Sequence, residues 1–302
     1  MPGKLCLFFL LLTILLPGLL FAEVRGRLER DGLVVVFEDP LQGLAERYAR
    51  VYPDILREVE SRLGLQLPLS PTLVLIREHE TFRNMAADRP MIAFAVPARG
   101  LIVVDCSRAD REPFTLEETL KHELTHLLTH HFVDGREIPK WLDEGLAQWV
   151  SGGLGEVVRN LKTSLVDEAV LSGRLMGMRS LAGSFPRSEN TLLLAYEESE
   201  DFVGYIIRQH GVAGVMRVLQ HLKAGEEWEN AVQMGLHVPF DDLEKSWHDQ
   251  LQRRKSWFMF LTRHLYEILF FVAAVASVWA FVRAYLKKRA YLREEAGEDQ
   301  SP

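Results

Sequence analysis

The chain has 302 residues, 48% of them hydrophobic, 25% charged and 10% aromatic, a globular composition that excludes collagen-like, low-complexity and wholly disordered chains. Its formal charge of −7 argues against a dedicated nucleic-acid binder, which would carry a basic face. No nucleic-acid partner is therefore expected.

Leu5 to Phe21 is apolar, follows Lys4 and ends at the small Ala22, the pattern of a secretory signal over residues 1–22 with the cut at Ala22–Glu23. An uncleaved anchor is the alternative. Gly32 to Glu38 (GLVVVFE) predicts a strand. Leu41 to Leu63 predicts a helix on the spacing of Leu44, Tyr48, Val51, Ile55, Val59 and Leu63, with a kink or break at Pro53. Thr72 to Ile76 and Leu101 to Asp105 predict two more strands, so residues 23–114 read as an α/β subdomain. Once Cys6 has left with the signal, Cys106 has no internal disulfide partner.

Thr115 opens a helix, with Glu118 three residues on as in a capping box, and this helix runs to about Phe132. Asp134–Gly135 is a turn, and Pro139 begins a second helix over Lys140 to Val150. The pattern stays helical to about Arg254, so residues 115–256 read as a helical subdomain. Leu265 to Val282 is eighteen residues interrupted only by Glu267, about 27 Å of helix at ~1.5 Å per residue. It predicts a transmembrane helix over 262–284. Arg283, Lys287, Lys288, Arg289 and Arg293 follow it and place a tail, 285–302, in the cytoplasm. The expected location is a single-pass cell-membrane protein with its main domain outside the cytoplasm.

The sharpest chemical feature is His122-Glu123-Leu124-Thr125-His126 on a predicted helix. Residues four apart lie about 40° apart around a helix, so both imidazoles leave one face and can bind one Zn²⁺, with Glu123 beside it to take a proton. A hydrolytic zinc needs a third protein ligand. Thr129 and Phe132 stand where the metzincin pattern would need Gly and His, so that arrangement fails. The following helix, with Trp141-Leu142-Asp143-Glu144-Gly145-Leu146-Ala147, offers Glu144 instead. His130 and His131 could compete as ligands but read rather as supporting or surface groups, and Gln148 as a hydrogen-bond partner for a ligating histidine or a solvated position. The run Glu197, Glu198, Glu200 and Asp201 reads as a solvated face.

These residues resemble a gluzincin, the zinc-peptidase group that includes thermolysin and the aminopeptidases, and more narrowly the peptidase-MA-like family. Ala195-Tyr196, the segment Phe202 to Gly211, Gly235 and Trp247 extend the similarity over roughly Leu101 to Leu251. The resemblance implies one Zn²⁺ per chain on His122, His126 and Glu144, Glu123 as general base, and Tyr196 as donor to the oxyanion. It also implies a peptide or protein substrate. Ile92 to Asp105 lacks the Gly-x-Met-Glu-Asn segment of aminopeptidases, which favours endopeptidase activity. The competing reading is a catalytically inactive binding or assembly factor of the cell envelope. Leu101 to Asp105 is expected at the sheet edge, where extended substrate backbone could pair. The expected fold class is α+β: an N-terminal α/β layer with active-site helices, a C-terminal helical subdomain and a single C-terminal transmembrane helix.

Overall fold

The computed structural model describes residues 26–86, 91–107, 115–152, 164–263 and 265–298, so the expected signal segment lies outside the described residues. Residues 1–248 and 249–302 form two separate units. The first opens with β1 (Gly26–Arg30) and β2 (Leu33–Phe37), a hairpin whose turn uses two left-handed residues, Asp31 (φ 50°) and Gly32 (φ 83°). Then come α1 (Gln42–Leu63), β3 (Thr72–Ile76), α2 (His79–Met85), β4 (Ala93–Val96) and β5 (Leu101–Asp105). The sheet order is β1-β2-β3-β5-β4, with β2, β3 and β5 parallel and both flanking strands antiparallel.

Burial on both faces explains why the parallel strands read as unbroken apolar runs instead of alternating. Val36, Val74, Ile76, Leu101 and Val103 pack one face onto Phe82 and Ala86, while Leu73, Leu75, Ile102 and Val104 on the other face are also buried. Three elements escaped the sequence reading: β1, α2 and β4. Two expectations change. Leu101 to Asp105 lies inside the sheet, between β3 and β4, so among the described residues the edge strands are β1 and β4. Pro53 does not break α1, because Ala45, Tyr48, Ala49, Tyr52, Ile55, Val59 and Leu63 form one continuous buried stripe along it. Packing along that stripe outweighs the one hydrogen bond that proline removes.

The helical half follows: α3 (Leu116–Phe132), α4 (Lys140–Ser151), α5 (Leu165–Ser172), α6 (Ser180–Gly183), α7 (Glu189–Lys223), α8 (Trp228–Leu236) and α9 (Phe240–Arg263). Helix α7 is two helical stretches joined at Gly211, whose φ of 69° and ψ of 171° no helix contains. Trp141 of α4 is fully buried among Phe202, Trp228 and Phe240, with ring centroids 5.0, 6.4 and 6.0 Å away.

The second unit contains α10 (Leu265–Glu298). Among the described residues no helix is long and apolar enough to cross a membrane. The molecule is mostly helical with one five-stranded sheet, and the expected single C-terminal transmembrane helix over 262–284 is not supported. The single-pass membrane location inferred from it falls with it. The physical reason lies at the ends of the run. Glu267 stands in the first turn of α10, and between it and Arg283 lie only residues 268–282. Those fifteen residues make about 22 Å of helix, short of the ~30 Å hydrocarbon core.

Candidate metal centre

Helix α3 starts where Thr115 Oγ1 accepts the Glu118 N–H at 3.2 Å, with Glu117 and Glu118 against the positive helix end. Its inward threonines cost little, since Thr125 Oγ1 and Thr129 Oγ1 donate to the carbonyls of Lys121 (2.8 Å) and Thr125 (2.9 Å). Two left-handed residues, Asp134 and Gly135, then turn the chain toward α4. Gly145 lets α4 lie directly against the backbone of α7: a Cβ there would meet the Ser199 carbonyl oxygen, its carbon at 2.8 Å and Val203 Cγ2 at 2.7 Å. The residue beside this crossing is Glu144.

The two helices bring His122, His126 and Glu144 together. His122 Nε2 and His126 Nε2 are 3.2 Å apart, and Glu144 Oε2 is 3.4 Å from the first and 3.6 Å from the second. A tetrahedral ion with bonds of ~2.0–2.1 Å has ligand–ligand edges of about 3.3–3.4 Å. Two imidazole nitrogens and one carboxylate oxygen are also a donor set that zinc prefers, so the residues fit a zinc ion. Glu123 is buried beside them. Burial pushes its carboxyl above the usual range; the His122 and His126 charges oppose this and Glu144 adds to it.

The partner of His126 is Asp143, not Gln148. His126 Nδ1 lies 2.8 Å from Asp143 Oδ1, which also stands 3.3 Å from His130 Nε2. Against the cost of burial, His126 and His130 hold the Asp143 carboxyl well below its ordinary range. His126, His122 and Lys140 do the same for Glu144. Gln148 is buried, and its backbone carbonyl accepts from Gly152 N–H and Ser151 Oγ–H, both at 3.1 Å. Lys140 places Nζ 2.5 Å from Glu144 Oε1, an i,i+4 pair visible in sequence that the motif reading passed over.

Tyr196 stands on α7 with its ring edge-on to Phe185, centroids 5.1 Å apart. The acidic run beside it is largely folded inward. Glu197 accepts the Ser164 hydroxyl and the Leu165 N–H (3.0 Å) at the start of α5. Glu198, fully buried, accepts the Met176 N–H, and Asp201 accepts the Trp247 indole N–H at 2.8 Å.

The profile of the Peptidase MA superfamily matches residues 95–253, which takes in α3, α4, α7 and α8. The chain belongs to this superfamily. No curated protein matches it. Among solved structures, this Peptidase MA chain is similar to an M1 zinc metallopeptidase from Deinococcus radiodurans (13% identity, TM-score 0.37, 76% of this chain and 50% of that one). A single-residue mutant of that enzyme bound to a Tyr-Ser-Ala substrate gives 14% identity and a TM-score of 0.38, over 74% of this chain and 50% of that one. The Peptidase MA chain thus spans about half the length of those structures.

Proposed function

We propose that the protein is a zinc metallopeptidase of the gluzincin type, cleaving peptide bonds within peptides or proteins. The observation that carries this reading is the tetrahedral spacing of His122 Nε2, His126 Nε2 and Glu144 Oε2 beside the buried Glu123. These three residues would hold one zinc ion per chain. When bound, zinc supplies Lewis-acid polarisation of the scissile carbonyl and of water. Asp143 accepts from His126 Nδ1–H and thereby presents Nε2 as the donor nitrogen.

Glu123 acts as general base. Its carboxylate takes the proton of the attacking water and returns it to the leaving nitrogen, a role suited to a carboxyl whose burial raises its proton affinity. Tyr196 donates its phenolic hydrogen to the developing oxyanion. Extended substrate backbone pairs with the edge strand β4, which packs against α3, the helix that carries His122 and His126. The residues of β4, Ala93-Phe94-Ala95-Val96, carry no carboxylate to anchor a free amine, which supports endopeptidase activity.

The test is hydrolysis of a mixed peptide library by the full chain, with zinc content measured on the same sample. One zinc per chain, cleavage at internal bonds and loss of cleavage with a chelator are expected. Glu123→Gln should keep the zinc and lose turnover. Undiminished cleavage by that variant, or zinc-replete protein that retains no metal, would refute the reading.

A further inference from the structure

We infer that Lys140 is a positioning residue that fixes Glu144 as a one-oxygen ligand, an inference that rests on the metal-centre reading above. The Glu144 carboxylate divides its two oxygens. Oε2 faces the two imidazole nitrogens, whereas Oε1 receives Lys140 Nζ at 2.5 Å. The same ammonium lies 3.9 Å from Asp143 Oδ2, while Asp143 Oδ1 faces His126. One cation therefore sits against the outer oxygens of both carboxylates whose inner oxygens organise the histidines.

Local helix preferences do not account for a lysine at this position. Lys140 is the first residue of α4, where the positive end of the helix disfavours a cation. It also precedes its acidic partner, the less favourable order for an i,i+4 pair. What holds it is the pair of buried carboxylates, which would otherwise face each other and Glu123 with less compensating charge. The consequence for the ligand set is geometric. A carboxylate with both oxygens unengaged can rotate to present two, and would then fill the position that a hydrolytic site keeps open. The hydrogen bond from Lys140 to Oε1 keeps that oxygen turned away.

The experiment compares zinc-loaded full chain with Lys140→Met, Lys140→Gln and Lys140→Arg, with circular dichroism confirming the fold of each. The readouts are zinc release to a chromophoric chelator and X-ray absorption at the zinc edge. Lys140→Met should show added carboxylate oxygen in the zinc shell and, with that extra bond and one cation fewer beside the ion, release zinc more slowly. Lys140→Arg, which still donates from a cation, should return toward the parent protein, and Lys140→Gln should lie between. Release and absorption in Lys140→Met identical to the parent would overturn the role of Lys140 while leaving the metal centre intact. A parent protein that binds no zinc would instead overturn the metal-centre reading, and this inference with it.

Discussion

Replacing Gly145 with alanine tests whether the α4–α7 crossing sets the metal centre. The added Cβ would stand 2.8 Å from the Ser199 carbonyl carbon, against ordinary contact from about 3.4 Å, and the obstacle is backbone. Helix α4 must therefore retreat by at least about 0.6 Å, taking Glu144 with it. Metal–ligand distances tolerate only about ±0.2 Å. Overpacking of this kind costs roughly 1–3 kcal/mol, and alanine recovers up to about 1 kcal/mol through helix propensity. A net loss of about 1 kcal/mol lowers Tm by roughly 2–4 °C in a unit of this size. Calorimetry reads the Tm, and competition with a chelator reads zinc affinity, which should fall at least about tenfold. Gly43→Ala is the control. A Cβ at Gly43 in α1 meets nothing within 4 Å, so that variant should melt no lower than the parent. Parental Tm and zinc affinity in Gly145→Ala would refute the argument that this contact positions Glu144.

Glu198→Gln should flatten the pH dependence of stability. Burial, with Glu197 and Glu244 adding to it, raises the folded Glu198 carboxyl from 4.5 to about 8, so the folded chain holds a proton that the unfolded chain releases. Stability from this group is therefore lost as pH rises from about 4.5 to about 8, by on the order of 3–5 kcal/mol. Urea titrations from pH 5 to 9 should show that decline in the parent and not in the variant; equal slopes would contradict it. Asp143→Ala should weaken zinc binding about ten- to a hundredfold by freeing the His126 ring, and unchanged affinity in equilibrium dialysis would exclude that support. Tyr196→Phe should keep zinc and fold but lower kcat by ~10²–10³, whereas full activity with a reduced Tm would assign Tyr196 to its packing against Phe185.

The clustering of His122, His126 and Glu144 was legible because much of its information is local. Two histidines four apart share a face by helix periodicity alone, and a short turn returns the acid of the next helix to them. The orienting partner was not. Asp143 and Gln148 flank Glu144 on the same helix, and only the angle at which α4 meets α3 decides which one reaches His126. The interior strands were readable as runs such as Thr72 to Ile76, but β1 (Gly26-Arg27-Leu28-Glu29-Arg30) is polar and found through its partner. Edge position is likewise a property of the sheet, so nothing within Leu101 to Asp105 distinguished it from β4. Glu198 read as solvated because nothing nearby in sequence hinted that the Met176 N–H would arrive to donate to it. The expected membrane span treated Glu267, visible in the sequence, as a tolerated interruption of the apolar run.

All three proposed metal donors, together with Lys140 and Asp143, come from the α3–α4 hairpin, and Glu144 follows His122 by only 22 residues. An ion seated there would staple a short loop, and closing it costs less chain entropy, by up to about 0.5 kcal/mol, than pairing β2 with β3 or β3 with β5. Contacts of low sequence separation tend to form early. Zinc present during refolding should then accelerate the return of the native state, rather than acting only by slowing its loss. In a stopped-flow experiment the metal would appear in the refolding arm of the chevron.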